Sequence, residues 1–281
     1  MLHVLNAFSL LATLGLTALG LWIVFGLMNV VNVAHGEFAM LGAYSMVVLT
    51  GLGIGHWLAV IVTPGILFVI GAICELTVFR RLRTRREVSL LAAFGLSIVL
   101  REIVQLTFGR QQRSIPNPLR GGMEIAGVTY PKYQALVIVV AVAVLLVAWM
   151  VLRYTRVGLT MRAVVADRDL AETLGIRAAR VDTVAMAVGA SSAGLAGALL
   201  APRISIEPSA GLNLLLGGFL VVIVGGFRRP SAVAVGAAAV AVITTIVALR
   251  YDAVWGQLAA VALAAVILQR RVETGARGVV Q

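Results

Sequence analysis

The stretch 133-YQALVIVVAVAVLLVAWMVL-152 contains no charged residue, and Lys132 and Arg153 stand directly at its two ends. A helix of about 20 apolar residues crosses the roughly 30 Å hydrocarbon core of a bilayer. This stretch therefore predicts a membrane-spanning helix. Only 12% of the 281 residues are charged, against roughly 25% in an average soluble domain, so we expect most of the protein surface to face lipid.

Apolar segments of similar character fill most of the chain. They predict an all-α fold, a polytopic transmembrane helical bundle with eight to nine membrane segments, some of them broken or re-entrant. In chain order the segments are Leu5–Met28, Phe38–Ile54, Trp57–Phe79, Ser89–Phe108, Tyr133–Leu152, Val181–Ala201, Leu212–Phe227, Ser231–Leu249 and Gly256–Leu268. The segments at Phe38 and Leu212 are short, so either is a candidate half-helix. Residues 1–281 form one transmembrane domain in this prediction, without room for a soluble catalytic domain.

Basic residues lie mainly in alternate loops. The loops at 80–86, 153–180 and 228–229, with the tail after Leu268, contain most of the 23 Lys and Arg residues. The positive-inside rule places them in the cytoplasm, and the N-terminus then lies outside if all nine segments cross. This topology explains the formal charge of +11 without nucleic acid as a partner.

Small residues are dense in several segments, most clearly in 189-GASSAGLAG-197. Such residues let helix backbones approach closely in lipid, where the hydrophobic effect does not draw helices together. Close helix packing is one interpretation of this stretch, and a pore lining made of the same residues is the other.

The stretch 32-NVAHGEF-38 places an amide, an imidazole and a carboxylate between two apolar segments. Ionisable groups at membrane depth are costly unless they face water, protein or substrate. In one interpretation Asn32 caps a helix start, with Glu37 in the first turn and a carbonyl group holding His35. In the other, these side chains lie on a substrate pathway. One His and one Glu are too few ligands to imply a metal, and Cys74 is the only cysteine of the chain.

Arg101 and Glu102 lie inside the apolar segment that ends at Phe108. Neighbouring positions of a helix point in different directions, so each side chain needs its own partner or an aqueous surface. Both are explained as interface residues that snorkel toward the nearby outer loop. A place in a substrate vestibule is the alternative.

The loop 153–180 mixes apolar and charged residues, which predicts an amphipathic helix in its central part. Asp167 or Asp169 can cap this short helix, and Gly175 can end it. On the cytoplasmic face such a helix suits coupling to a partner protein. An interfacial helix that lies on lipid is the alternative.

The segment Gly26–Tyr44 resembles the N-terminal signature of the inner-membrane permeases of branched-chain amino acid ABC importers. Loop 153–180 resembles the part of that family that docks into the ATPase subunit, and the resemblance continues through Pro208, Gly211 and 221–226. Two groups of site residues are implied. The substrate-pathway residues are Asn32, His35, Gly36, Glu37 and Tyr44, and the ATPase-coupling residues are Arg162, Asp167, Arg168, Ala171 and Gly175.

The resemblance implies a multi-pass protein of a bacterial-type plasma (inner) membrane. Two permease chains, identical or different, would form the pathway, with two ABC ATPase subunits beneath them and a soluble extracytoplasmic substrate-binding protein outside. The chain itself is expected to be no enzyme and to hold no cofactor. A P-loop needs G-x-x-x-x-G-K-[ST], whereas the only lysine is Lys132, in 130-YPKY-133, so ATP would be bound and hydrolysed by the partner ATPase subunits.

The substrate stays open between three classes: branched-chain or other hydrophobic amino acids, urea or short amides, and another small carboxylate. Several short motifs resemble the urea and short-amide branch of the family, although Phe94 stands where a tryptophan is common there. These motifs are 90-LLA-92, 95-GLS-97, 108-FG-109, 117-NP-118 and 121-GG-122.

One turn departs from the family pattern. In 225-GGFRRP-230 two arginines and a proline stiffen a turn that is usually small and flexible in the family.

A function of another class competes with the permease. Broken helices with polar residues near the midplane also occur in secondary transporters, so a stand-alone transporter or channel is the rival. The scarcity of intramembrane acids for ion coupling is an argument against it. A purely structural scaffold is a third class.

Overall fold

Helices form at all nine apolar segments. The computed structural model describes residues 2–28, 32–82, 86–125, 127–226 and 231–277. In chain order the elements are α1 (Leu2–Met28), α2 (His35–Gly51), α3 (His56–Cys74), α4 (Arg86–Phe108), β1 (Gly122–Ile125), β2 (Val128–Pro131), α5 (Lys132–Tyr154), α6 (Arg156–Ala166), α7 (Arg168–Thr173), α8 (Ala178–Leu200), α9 (Ala210–Gly225), α10 (Ser231–Arg250) and α11 (Ala253–Arg277). The α3 helix continues through a π-helical turn, Glu75–Phe79, and the short helix Arg80–Leu82.

The all-α, polytopic architecture is confirmed. Among the described residues, six helices are long and apolar enough to cross a membrane: Leu2–Gly26, His56–Leu82, Lys132–Tyr154, Ala178–Leu200, Ser231–Arg250 and Ala253–Arg271. The α9 helix is apolar but shorter, α2 has 17 residues, and α4 contains Arg101 and Glu102 in its C-terminal half. The predicted number of eight to nine crossing segments is therefore not confirmed. The stiffened turn at 227–230 and Arg83 and Arg85 lie outside the described residues.

A β-hairpin between α4 and α5 is an element that the all-helical prediction lacks. Strands β1 and β2 pair antiparallel, with Gly122 opposite Pro131 and Glu124 opposite Thr129. Gly127 has φ +76°, the left-handed backbone that tight hairpin turns require and glycine adopts readily. Each strand has only four residues, far fewer than the apolar stretch that predicts a membrane-spanning helix.

Polar contacts tie the N-terminal part of α1 to the hairpin and to the loop after α8. The Tyr130 hydroxyl donates to the carbonyl oxygen of Leu5 at 3.1 Å, and Arg203 Nη1 donates to Ser9 Oγ at 3.1 Å. The α5 helix starts at the hairpin, so the loop 153–180 that follows α5 lies at the opposite end of the bundle. The hairpin end is the outer end if this basic loop is cytoplasmic.

The α8 helix is the most buried of the spans and packs against α1, α2 and α3. Small residues make this close approach possible. A Cβ added at Gly197 would overlap the carbonyl oxygen of Ala39, and one added at Gly42 would overlap the carbonyl oxygen of Gly194. The packing interpretation of the small-residue stretch is thus supported by backbone-to-backbone contact between α2 and α8.

We expect Gly197→Ala to lower the apparent melting temperature of the purified protein in detergent. The added methyl group meets a backbone carbonyl that no rotamer change can move, and overpacking of this kind costs about 1–3 kcal/mol or more. Gly65→Ala is the matched control, because Gly65 is also helical and has open space at its Cβ position. Equal melting temperatures for the two variants would contradict the close packing of α2 on α8.

Candidate functional site

The turn before α2 is organised by Asn32. The Asn32 Oδ1 atom accepts a hydrogen bond from the Ala34 backbone N–H at 3.1 Å, and the Asn32 carbonyl oxygen accepts one from the His35 N–H at 3.1 Å. The cap residue of α2 is Ala34, which makes no side-chain capping bond. The interpretation of Asn32 as the cap of this helix is therefore wrong, because its amide closes the preceding turn instead.

His35 is fully buried at the start of α2. Its Nε2 atom lies 3.1 Å from the carbonyl oxygen of Thr17 in α1, and a carbonyl can only accept, so Nε2 carries the proton. Nδ1 has no hydrogen-bond partner in the part of the chain that the structure describes. The expectation that a carbonyl group holds His35 is confirmed.

Glu37 forms the polar centre of the site. Its Oε1 atom accepts hydrogen bonds from Ser97 Oγ at 2.9 Å and from Arg101 Nη2 at 2.5 Å. The second carboxylate oxygen, Oε2, is buried next to Gly211 and has no hydrogen-bond partner among the described residues. Glu37 and Arg101, which the sequence analysis considers independently, thus form one ion pair between α2 and α4.

Arg101 does not snorkel outward, so that interpretation is wrong for this residue. The buried carboxylate of Glu37 attracts the guanidinium inward, because an opposite charge is the strongest compensation available at membrane depth. The side chain of Arg101 is still 28% exposed, whereas that of Glu37 is 2% exposed. The ion pair therefore runs from the packed interior to the surface of α4.

Tyr44 and Gly36 complete the predicted substrate-pathway group. The Tyr44 ring is buried, with its centroid 4.9 Å from that of Phe108. At Gly36 a Cβ would overlap the carbonyl oxygen of Gly211 in α9. Thus Asn32, His35, Gly36 and Glu37 lie together in the packed interior around the start of α2, whereas Tyr44 is buried further along the same helix. The place of these five residues on a substrate pathway stays a prediction.

The loop 153–180 folds into two short helices, α6 and α7. The Asp167 Oδ1 atom accepts a hydrogen bond from the Leu170 N–H at 3.0 Å and thereby caps α7. Gly175, with φ +84°, follows its end, as expected for a glycine past a helix C-terminus. The predicted cap and end of the short helix are both confirmed. Arg162 donates to the carbonyl oxygen of Leu152 and fixes α6 to the end of α5.

The α7 helix is attached to α8 by an ion pair and by an apolar contact. Arg168 Nη2 lies 2.8 Å from Asp182 Oδ2, and Asp182 is buried near the start of α8. The hydrogen bond that Arg168 donates to Asp182 is the main cause that raises the pKa of Arg168 above its ordinary value. Ala171 is buried in a cluster with Val164 and Ala178. Arg162, Asp167, Arg168, Ala171 and Gly175 are therefore structural members of one compact element, and their coupling role stays a prediction.

The same element presents apolar side chains away from the bundle. These exposed residues are Leu159, Val165, Leu170 and Leu174. An amphipathic surface of this kind fits either a partner protein or the lipid interface. Within the described ranges, no group of three or more His, Cys, Asp or Glu residues is placed to hold a metal ion.

The helical bundle and the buried polar site define a multi-pass α-helical membrane protein. Residues 3–268 match the family described as "Branched-chain amino acid transport system / permease component", and the chain belongs to this family. The family is one of transport permeases.

Two relatives from Salmonella typhimurium (strain LT2) are similar to this chain over most of its length. It is 30% identical to the high-affinity branched-chain amino acid transport system permease protein LivH, across 79% of this chain and 77% of LivH. It is 26% identical to the high-affinity branched-chain amino acid transport system permease protein LivM, across 78% of this chain and 57% of LivM. Among solved structures, a chain of PsaBC from Streptococcus pneumoniae in complex with Fab matches with a TM-score of 0.51 and 11% identity, covering 96% of this chain and 90% of that one. This last likeness concerns the fold alone.

We predict an asymmetric response when the two charges of the Glu37–Arg101 pair are neutralised. Arg101→Gln leaves a buried carboxylate without its cation, which costs about 3–5 kcal/mol in a buried pair. Glu37→Gln leaves a guanidinium that is already 28% exposed and can turn toward the surface. The melting temperature in detergent should therefore fall more for Arg101→Gln.

The double variant Glu37→Gln/Arg101→Gln provides the control. With both charges removed, its melting temperature should lie above that of Arg101→Gln alone. Two equal single effects that add in the double variant would show that the two side chains do not interact.

Proposed function

We propose that this chain is the membrane-spanning permease subunit of a binding-protein-dependent ABC importer that takes branched-chain or other hydrophobic amino acids across a bacterial-type plasma membrane. The observation that carries the proposal is the attachment of loop 153–180 to α8, the helix that packs on the polar site. A partner protein that moves this loop at one end of the bundle would therefore also move α8, which extends into the interior. The family membership and the names of the LivH and LivM relatives support the substrate class.

The proposed complex contains a second permease chain, two ABC ATPase subunits and a soluble substrate-binding protein. Similarity to both LivH and LivM of one organism is consistent with two related permease chains, identical or different, that share one fold. ATP is bound and hydrolysed by the ATPase subunits in this proposal, since the chain contains no lysine that fits a P-loop. The exposed leucines of loop 153–180 are the proposed docking surface for them.

Coupling is proposed to run from α7 through α8 to α2. An ATPase that pulls on α7 also pulls on Asp182 through Arg168, and on Ala178 through Ala171. The α8 helix is in backbone contact with α2 at Gly197, so it transmits displacement with little loss. Energy enters such a transition only through contacts that differ between the two conformations, and the Glu37–Arg101 pair is one contact that separation of α2 from α4 would change.

The polar residues at the start of α2 are proposed to support the substrate pathway. The five predicted pathway residues lie in the protein interior: Asn32, His35, Gly36, Glu37 and Tyr44. In this conformation they are therefore proposed to hold the pathway-lining residues in position without contacting substrate themselves. Glu37 reaches the surface of α4 through Arg101. Its charge therefore affects the pathway by fixing the position of the guanidinium.

We expect Asp167→Ala to reduce substrate uptake several-fold while the ATPase subunits still co-purify with the permease. Loss of the cap costs about 1 kcal/mol, and α7 has only 6 residues, so it frays and transmits less displacement. Uptake of radiolabelled leucine and ATPase content would be measured on the same vesicles.

Two further variants define this experiment. Asp169→Ala is the matched control, because Asp169 lies two residues further along and Asp167 accepts the capping bond. Gly175→Ala should act like Asp167→Ala, since alanine is strained at φ +84°. Normal uptake and normal assembly in both Asp167→Ala and Gly175→Ala would count against the coupling role of this loop.

The function itself is tested by reconstitution of the assembled complex in liposomes. ATP-dependent uptake of leucine that requires the ATPases and the binding protein is the expected result. Uptake of urea or a short amide in place of leucine would move the protein to the other branch of the family. Uptake by the permease chain alone, driven by an ion gradient, would overturn the importer and favour a secondary transporter.

A further inference from the structure

The α4 helix has one face packed on the bundle and an opposite face that is exposed. The packed face contains Ala93, Ser97 and Val104, which are buried. The opposite face carries residues spaced as on one side of a helix: Leu91, Gly95, Ile98 and Glu102. A Cβ at Gly95 would meet no atom within 4 Å.

Glu102 lies toward the C-terminal end of this exposed face. It is six residues before the end of α4 at Phe108, about 9 Å along the helix axis. The side chain of Gln105, one turn further along, donates from Nε2 to Glu102 Oε1 at 3.3 Å. A carboxylate exposed at this depth is costly in lipid, so such groups face a water-filled cavity or the inside of an assembly.

Arg101 stands beside Glu102 on the same turn. One nitrogen of its guanidinium, Nη2, is held by Glu37 from the interior, and Nε is buried without a hydrogen-bond partner in the described part of the chain. The side chain as a whole is still 28% exposed. Positions one apart on a helix differ by about 100°, so Arg101 and Glu102 border one common surface. A positive and a negative group are therefore displayed together, and the buried Glu37 fixes the position of the positive one.

The exposed face of α5 serves as a comparison, because it has the apolar character expected of a surface that contacts lipid. Its exposed side chains are Val139, Val142, Leu146 and Val147, and no charged residue occurs between 133 and 152. The face of α4 differs by its carboxylate and by the adjacent guanidinium. This contrast argues that α4 borders water.

We infer that the outward face of α4 lines the water-filled translocation pathway and that Arg101 and Glu102 contact the two charged groups of a zwitterionic amino acid. The inference rests on the proposed importer function. Arg101 donates to the substrate carboxylate, for which the planar guanidinium is well suited, and Glu102 accepts from the substrate ammonium group. Glu37 is the positioning residue that holds Arg101 at the pathway surface.

Accessibility of cysteine probes tests whether this face borders water. Cys74 is the only cysteine and is buried, so Cys74→Ala supplies a background without other thiols. In that background, Glu102→Cys and Ile98→Cys should react with a membrane-impermeant, water-soluble methanethiosulfonate reagent in vesicles that hold the assembled complex. Saturating leucine delivered by the binding protein should slow labelling of Ile98→Cys. Val139→Cys on the lipid-facing side of α5 is the control and should stay unlabelled.

Failure of this labelling would overturn the inference. If Glu102→Cys and Ile98→Cys are as unreactive as Val139→Cys, lipid or a packed partner helix covers the face of α4. A disulfide between two Glu102→Cys chains without reaction with the reagent would identify the packed helix as a second permease chain, and it would equally exclude the pathway role.

Transport by Glu102 variants tests the contact with substrate. Glu102→Gln should lower leucine uptake at least tenfold at unchanged ATPase content, and Glu102→Asp should restore part of it, because the charge is kept. Glu102 is exposed, so these changes should leave the melting temperature unaltered. Wild-type protein that transports no leucine would refute the proposed function, whereas wild-type transport with an unaffected Glu102→Gln variant would refute only the role of Glu102.

Discussion

Backbone-to-backbone contact of α8 with its neighbours is the constraint on which the rest of the structure depends. In lipid no hydrophobic force draws helices together, so their association rests on close packing and on hydrogen bonds between them. The glycines at 42 and 197 remove the side chains that would keep α2 and α8 apart. Because Asp182 of the same helix pairs with Arg168 of loop 153–180, α8 connects this loop to the polar site through one continuous helix.

Pairing of polar groups is the second constraint, and it explains why these side chains occur where they do. His35 Nε2 pairs with a carbonyl of α1, and Glu37 Oε1 accepts hydrogen bonds from Ser97 and Arg101 of α4. Hydrocarbon offers no water to replace these partners. The start of α2 is therefore fixed to two different helices by polar contacts, and any movement between α2 and α4 must exchange the Glu37–Arg101 contact for another.

Much of the fold follows from local sequence, whereas the partners in the site do not. Apolar segments locate the helices because a helix satisfies its own backbone in lipid, and Asp167 and Gly175 locate the ends of α7 because capping is a local effect. The contact of Glu37 with Arg101 joins residues 64 positions apart, so no local pattern contains it. One signal in the sequence does point to this contact. Two opposite charges within apolar segments each need a partner, and pairing them with each other meets both needs. The hairpin was missed because its strands are short and its signal, Gly127, is a single residue.

The polar contacts at the hairpin end have a consequence for which helices can rearrange. Tyr130 and Arg203 bind the beginning of α1, and the backbones of Arg113 and Ile206 pair through two hydrogen bonds of 2.8 Å. These links fasten α1, α5 and α8 into a common platform at that end. A soluble protein that docks at that end would therefore contact segments that hydrogen bonds already hold to one another.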